Sequence, residues 1–167
     1  MPTIDQDYDP AVPLADLTPH PENANEGDVG AIAESMTANG FFGTVLAQKS
    51  TGAIITGEHR WRAARTLGEP TVPVLWADVD DDRAARIRLA DNRTARLGRD
   101  DETALVALLT DLATTPGGLT GTGYDGDDLD QLIQDLNTDP PPLPDPPEPK
   151  AGGPPFVCPK CGWEAGT

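Results

Sequence analysis

One abrupt change of hydrophobic pattern, at a single glycine, most constrains how this chain can fold. Residues 53–56 have the composition of a β-strand, and Glu58–Leu67 has the spacing of a helix that Gly68 closes. Gly57 lies between them and permits the tight backbone turn that such a junction needs. The first turn of a helix has unpaired N–H groups and partial positive charge, so it attracts anions. The sequence therefore predicts a phosphate-binding turn over residues 57–64.

The polar side chains of this turn suit phosphate chemistry. Arg60 and Arg62 carry fork-shaped guanidinium groups that match phosphate oxygens. Glu58 has the chemistry to hold a metal ion or an incoming hydroxyl, and His59 can shuttle a proton near neutral pH. One interpretation is therefore a catalytic pair, Glu58 and His59, beside a phosphate-binding set of Gly57, Arg60 and Arg62.

A purely structural interpretation fits the same spacing. The segment is also an amphipathic helix whose arginines point into solvent. Its buried face would consist of Trp61, Ala64 and Leu67. Short motifs often arise by chance, so the spacing alone leaves both interpretations open.

The order of the remaining elements predicts the α+β class, with a main domain over residues 12–112 and a helical extension over residues 113–137. A short strand that runs into a turn is expected at 12–17, and further strands at 44–48, 53–56 and 72–77. Expected helices lie at 28–39, 58–67, 84–90, 101–113 and 127–137. Asp80–Asp82 are expected at the start of the third helix, and Asp91-Asn92-Arg93 is expected to end or kink it. The last two helices should bury stripes of leucine and isoleucine, namely Leu105, Leu108, Leu109, Leu112, Leu129, Leu132, Ile133 and Leu136.

Both ends of the chain lack a core-forming pattern. Residues 1–11 are acidic and are expected to form a flexible tail. Residues 138–155 are rich in proline, which predicts a disordered, semi-stiff linker before a short tail over residues 156–167. Cys158 and Cys161 in that tail have zinc-knuckle spacing, but structural zinc takes four ligands. We therefore do not expect zinc in the isolated monomer, although a partner or a dimer would complete the set.

Charge and composition restrict the classes of function. A net charge of −16 argues against non-specific coating of nucleic acid, because phosphate neutralisation needs clustered cations. All nine arginines nevertheless lie between Arg60 and Arg99, so one region can meet phosphate. No apolar run is long enough to span a membrane, and the N-terminus lacks a basic leader with an apolar core. A cytoplasmic protein is therefore expected.

Four stretches resemble one known family in the correct order. They are Leu17-Thr18-Pro19-His20-Pro21-Glu22-Asn23, Asn39-Gly40-Phe41-Phe42, Gly57-Glu58-His59-Arg60-Trp61-Arg62-Ala63-Ala64, and Leu89-Ala90-Asp91-Asn92-Arg93 with Leu119-Thr120-Gly121 beyond it. From Val12 to about Asn137 the chain thus resembles the ParB N-terminal domain family, which shares its fold with sulfiredoxin. The last stretch resembles a subgroup found beside phage and bacterial DNA methylases. The resemblance implies a small mixed sheet with flanking helices and a bacterial origin, with phage or plasmid encoding.

This resemblance implies a nucleotide site. In partition proteins the arginine box and the proline-rich loop bind a cytidine nucleotide with magnesium, and the nucleotide switches a clamp on DNA. Gly57, Glu58, Arg60 and Arg62 match the box, and His59 replaces an arginine. From the loop, the resemblance adds Pro21 and Asn23 as nucleotide-binding residues. The implied cofactor is Mg²⁺ with CTP or ATP.

Several activities occur on this fold, so the resemblance leaves alternatives open. The main expectation is a protein of DNA metabolism that binds a nucleotide or nucleic-acid phosphate. The alternatives are a metal-dependent nuclease, a kinase of a serine-like small molecule, and a non-catalytic adaptor for a DNA-modifying enzyme. Sulfinic-acid reduction is excluded, because Glu58 stands where sulfiredoxin has its cysteine.

The expected partners are DNA or a DNA-modifying enzyme, together with a second copy in a homodimer. The segment Asp91-Asn92-Arg93 is a candidate to contact DNA, through Asn92 and Arg93, or to brace the phosphate site. A simpler interpretation, and the one favoured here, makes this segment a helix end whose polar side chains satisfy nearby backbone groups. No helix-turn-helix reader is recognisable after residue 137, so sequence-specific DNA recognition by this chain alone is not expected.

Overall fold

A four-stranded mixed sheet positions the rest of the chain. The computed structural model describes residues 3–21, 25–138 and 159–162. Its elements are β1 (Gln6–Pro13), a 3-10 helix (Leu14–Asp16), α1 (Val29–Asn39), β2 (Val45–Gln48), β3 (Ile54–Thr56), α2 (Glu58–Leu67), β4 (Thr71–Ala77), α3 (Asp81–Leu97), α4 (Glu102–Ala113) and α5 (Gly126–Asn137). The expected α+β class, with a small mixed sheet and flanking helices, is confirmed.

The strand order is β1-β4-β2-β3. β2 and β3 form an antiparallel hairpin, and β1 pairs antiparallel with β4. The central pair, β2 and β4, is parallel, with Val45 opposite Val74. A parallel pair needs a crossover, and β3 followed by α2 forms part of it. The α2 helix is therefore held against the sheet by the chain on both sides.

Strand β3 divides two apolar clusters, because successive side chains in a strand point to opposite faces. Ile54 packs in the larger cluster with Val45, Val74 and the Trp61 ring of α2. Ile55 packs in the other cluster with residues around the start of α3. The Trp61 indole also donates its Nε1–H to the Leu14 carbonyl at 3.1 Å. Both α2 and α3 are thus anchored where β3 ends.

Strand β1 begins earlier than expected. The predicted flexible tail over residues 1–11 is wrong for residues 6–11, which belong to β1 and pair with β4 from Gln6 opposite Ala77 to Asp9 opposite Val74. Backbone hydrogen bonds to β4 stabilise this segment, and the pattern of its acidic side chains does not predict them. Lys49 also forms an ion pair with Asp7, and this hydrogen bond raises the pKa of Lys49. The 3-10 helix lies where the strand expected within residues 12–17 was predicted to run into a turn.

Asp91-Asn92-Arg93 was predicted to end or kink helix α3, but the helix continues to Leu97. Asp80 caps its start by accepting from the Arg83 N–H at 2.8 Å. The Thr94 hydroxyl donates to the Ala90 carbonyl at 2.8 Å, a hydrogen bond compatible with an unbroken helix. The segment contains neither glycine nor proline, the residues that usually break a helix.

The predicted leucine stripes of α4 and α5 are only partly buried. Leu109 and Leu129 are buried, whereas Leu108 is 68% exposed and Leu136 is 40% exposed. The two helices pack mainly against each other, so each covers only one line of the other's side chains. The side chains of Leu112 and Ile133 are also exposed, by 38% and 36%.

The other predicted elements are confirmed at α1, the β2–β3 hairpin, α2 and β4. The proline-rich linker lies outside the described residues, and so do Asn23 and Cys158. Cys161 is described and exposed. None of the helices in the described part of the chain is long and apolar enough to cross a membrane.

Candidate functional site

A cavity of about 390 Å³ opens at the first turn of α2, and we call it the main cavity. The cavity is lined by α1 and residues on either side of it, by the β3–α2 junction, by α3, and by a turn over residues 119–123. The lining residues are Asn25, Ala31, Ile32, Ser35, Met36, Phe42, Ile55, Thr56, Gly57, Glu58, His59, Arg60, Arg88, Asp91, Asn92, Thr122 and Gly123. The predicted turn therefore borders a space large enough for a small ligand.

Gly57 fixes how α2 enters the main cavity. Its φ of 83° is in the left-handed region that favours glycine. A Cβ here would lie 3.1 Å from the Thr44 carbonyl oxygen and 3.2 Å from the Val45 Cα, so the backbone passes directly over β2. As the N-cap, Gly57 offers no side-chain acceptor to the first-turn N–H groups. The positive end of α2 therefore faces the cavity without a side-chain cap.

Glu58 and Arg62 form a buried-to-surface ion pair. The Glu58 carboxylate is only 5% exposed, and its Oε1 accepts from Arg62 Nε at 2.9 Å and from Arg62 Nη2 at 2.5 Å. Arg62 does not line the main cavity. Helical geometry explains this, because residues two apart point to nearly opposite sides whereas residues four apart lie together. Arg62 thus neutralises Glu58, and Arg60 alone of the two meets the cavity.

Arg60 is half-buried and lines the main cavity. Its guanidinium lies beside the turn before β2, since a Cβ built on Gly43 would be 3.7 Å from Arg60 Cζ. A second arginine, Arg88, reaches the cavity from α3 and donates to the Ile54 carbonyl at 3.4 Å. Two guanidinium groups from separate helices therefore contribute positive charge to one space.

His59 is engaged with the segment that precedes α1. Its Nε2 accepts from the Gly27 N–H at 2.9 Å, so the proton of the neutral ring belongs on Nδ1. A Cβ on Gly27 would lie 3.0 Å from the imidazole ring, so a larger residue there would require the ring to shift. This hydrogen bond holds the segment before α1, near Asn25, against the first turn of α2 at the cavity.

Helix α3 presents Asp91 and Asn92 to the main cavity. They follow Arg88 by three and four residues, so an unbroken helix places all three on one side. The favoured interpretation of this segment as a helix end is therefore wrong. Arg93 is exposed and does not line the cavity. Arg88 was missed as a site residue because the predicted break hid the face that it shares with Asp91 and Asn92.

The described part of the proline-rich loop, which ends at Pro21 and excludes Asn23, does not line the main cavity. Neither Pro19 nor Pro21 lines it, and His20 lines a separate cavity of about 270 Å³ beside Gln48 and Asp81. The described residue that closes this side is Asn25, whose Oδ1 accepts from Arg96 Nη2 at 2.7 Å. Thr122 and Gly123 were also missed, since nothing in the local pattern indicates that a turn between α4 and α5 returns to the site.

No cluster of three or more histidine, cysteine, aspartate or glutamate side chains suited to a metal occurs among residues 3–21, 25–138 and 159–162. Two carboxylates, Glu58 and Asp91, line the main cavity. Magnesium usually takes one or two protein carboxylates together with substrate phosphates and water. The residues present therefore fit a nucleotide-bound Mg²⁺ better than a dedicated protein metal site.

Comparison with known families agrees with this architecture. Residues 11–93 match the model of the ParB N-terminal domain. That range runs from β1 through the β3–α2 turn to the middle of α3, and so includes Gly57, Arg60 and Asp91. The chain belongs to the ParB N-terminal domain family.

Solved structures show the same fold. The C-terminally truncated chromosome-partitioning protein ParB from Caulobacter crescentus, complexed with CTP-gamma-S, is 21% identical with a TM-score of 0.63, over 84% of this chain and 81% of that one. A Pnob8-like ParB-N domain is 16% identical with a TM-score of 0.50, over 81% of this chain. This chain spans 63% of that second protein. No curated protein sequence matches significantly.

Proposed function

We propose that this protein binds a nucleotide in the main cavity, with the phosphates at the first turn of α2. The observation that carries the proposal is the opening of an uncapped, glycine-led helix N-terminus into a cavity that two arginines line. Helix N-termini and guanidinium groups are the commonest protein partners of phosphate oxygens. The ligand of the Caulobacter ParB structure, CTP-gamma-S, supports a nucleoside triphosphate as the class of ligand.

The roles follow from position. Arg60 and Arg88 would neutralise phosphate charge, and the first-turn N–H groups would supply backbone donors. Ile32, Met36 and Phe42 form an apolar wall suited to a base. Asp91 is the carboxylate that would hold Mg²⁺ beside the bound phosphates, and that ion would offset its charge, whereas Glu58 is already neutralised by Arg62.

We further propose that the nucleotide site serves DNA metabolism, as family membership suggests. CTP is the first ligand to test and ATP is the second. The nucleotide-bound protein would act while bound to DNA or to a DNA-modifying enzyme. Turnover is not part of the proposal, because His59 Nε2 accepts from the Gly27 N–H and Glu58 Oε1 accepts from Arg62.

A second candidate function is that of an adaptor for a DNA-modifying enzyme. The exposed apolar side chains of α4 and α5, Leu108, Leu112, Ile133 and Leu136, favour it. Every charged residue from Asp100 to Asp135 is acidic, so the partner surface would be apolar and basic. Nucleotide binding and partner docking would then occupy different parts of one chain.

Calorimetric titration with CTP and with ATP, each with and without Mg²⁺, tests the proposed site. We expect saturable binding of at least one nucleotide and a loss of about 10- to 100-fold in affinity in Arg60→Ala, the range expected for a charged hydrogen bond. Arg93→Ala is the matched control, because it removes the same charge from an exposed position outside the cavity.

Two results would count against the proposal. If neither nucleotide binds the wild-type protein, the site has another purpose. If binding occurs but Arg60→Ala and Arg93→Ala weaken it equally, the nucleotide lies elsewhere. If an Arg60→Ala protein binds no nucleotide but still acts on a DNA-modifying enzyme as the wild type does, the adaptor function is favoured.

A further inference from the structure

One wall of the main cavity comes from outside the family-matched segment. Thr122 and Gly123 line the cavity, yet they follow residue 93, the last matched position, by almost 30 residues. They belong to the 119–123 turn, which joins α4 to α5. The extension formed by α4, this turn and α5 therefore reaches back to the proposed nucleotide site.

Gly121 attaches that turn to α1. Its N–H donates to Glu34 Oε1 at 3.2 Å, and its carbonyl accepts from Asn39 Nδ2 at 3.1 Å. The residue is buried and has a φ of 76°, in the region that favours glycine. A Cβ here would lie 2.6 Å from the Ala38 Cβ, too close for any side chain. The turn is therefore seated on α1 by backbone contacts that require glycine.

Helix α1 is in contact with the turn and with the cavity together. Ile32, Ser35 and Met36 face the cavity, whereas Glu34, Ala38 and Asn39 contact Gly121 on the adjoining side of the helix. Asn39 also bonds Ser35 within α1 at 3.4 Å. A ligand that contacts α1 and Thr122 together would favour the seated turn, and a seated turn would complete the ligand's enclosure.

We propose that the 119–123 turn is a ligand-dependent wall, so that seating of the α4–α5 extension on α1 through Gly121 and occupancy of the main cavity strengthen each other. This inference rests on the proposed nucleotide site. It makes Gly121 a positioning residue, which acts through Thr122 and Gly123 rather than by touching the ligand. It also links the exposed apolar side chains of α4 and α5 to the state of the cavity.

The first experiment needs no ligand. Amide hydrogen exchange is measured on the full chain for Gly121→Ala and for Gly118→Ala, its matched control. Gly118 lies nearby with a positive φ of 55°, but nothing is within 4 Å of a Cβ there. Both variants bear the strain of alanine at positive φ, and only Gly121→Ala collides with α1. We expect faster exchange over residues 119–123 and α5 in Gly121→Ala alone.

The second experiment adds CTP with Mg²⁺, or ATP if calorimetry of the wild-type protein selects it. We expect the nucleotide to slow exchange over residues 119–123 in the wild type. We expect Gly121→Ala to weaken binding at least fivefold relative to Gly118→Ala, the lower end of typical coupling between sites. Asn39→Ala, which removes one bond to Gly121 without a collision, should weaken binding in the same direction and covers failure of Gly121→Ala to fold.

The outcomes separate the two proposals. Absence of nucleotide binding to the wild type overturns the proposed function. Binding that is equal in Gly121→Ala and Gly118→Ala, with exchange over residues 119–123 unchanged by nucleotide, overturns the ligand-dependent wall and leaves the nucleotide site standing. If only Asn39→Ala folds, affinity equal to the wild type overturns the wall in the same way.

Discussion

Gly57 places the positive end of α2 against the main cavity, because its backbone both turns and passes over β2. Any side chain would meet the Thr44 carbonyl and the Val45 Cα at little more than 3 Å, as the 3.1 Å and 3.2 Å distances show. Backbone atoms of a central strand cannot move aside easily. The position of Arg60 therefore depends on a residue that has no side chain of its own.

We expect Gly57→Ala to lower the free energy of unfolding by roughly 2–3 kcal/mol, from left-handed strain plus steric overlap. Gly68→Ala is the control: its φ is 79°, but a Cβ there has no atom within 4 Å. Only strain applies in that case, and the expected loss is roughly 1 kcal/mol. Urea unfolding of the two variants measures the difference. Equal losses would show that the approach to β2 is unimportant.

At this scale the sequence predicted more than a pattern alone usually supports. The glycine, the helix start at Glu58 and the cavity-facing Arg60 follow from the strand-turn-helix pattern. The predicted phosphate-binding role shared by Arg60 and Arg62 is not supported, because their spacing of two places them on different sides of the helix and only Arg60 lines the cavity. The Glu58–Arg62 pair was predictable from its spacing of four, a signal that phosphate chemistry obscured.

Element boundaries depend on side-chain bonds to the backbone. Asp28, Asp80, Asp101 and Asp125 each cap a helix by accepting from an N–H three residues on. At α5 the bond is reciprocal, since Asp128 also accepts from the Asp125 N–H at 3.0 Å. Such caps explain why an acidic chain forms helices with well-defined starts.

We expect Asp125→Ala to destabilise α5 by about 1 kcal/mol, because it removes the acceptor for the Asp128 N–H. Asp127→Ala, which removes an equal charge from the same first turn without removing a cap, should cost only a few tenths of a kcal/mol. Hydrogen exchange of the α5 amides reports the local opening free energy. Equal effects of the two substitutions would mean that charge, and not the cap, sets the start of α5.

Helix α3 shows where element prediction failed. Asp, Asn and Arg in succession resemble a helix end, because Asp and Asn compete for backbone hydrogen bonds. The helix continues because Ile87 and Ala84 are anchored in the core cluster below and no breaker occurs before Gly98. That tertiary anchoring also turns Arg88, Asp91 and Asn92 toward one cavity, a consequence that local propensity does not contain.

The whole molecule brings distant segments to one space. The main cavity draws on Asn25 before α1, on the β3–α2 junction, on α3, and on Thr122 beyond α4. Sequence pattern predicted most of these elements but not which of them meet, since packing of two faces of one sheet decides that. The family resemblance supplied the fold, and the role of the 119–123 turn emerged only from the assembled structure.

The most direct test of the nucleotide site is a titration of the ¹⁵N-labelled full chain with CTP and Mg²⁺, followed by backbone amide chemical shifts. We expect saturable shifts at Glu58, His59 and Arg60, accompanied by Thr122, while amides of the β2–β3 hairpin turn at Ser50 and Thr51 stay unchanged. ATP in a parallel titration covers the alternative nucleotide. Saturable shifts that avoid the first turn of α2, or no shifts with either nucleotide, would contradict a phosphate site at Gly57–Arg60.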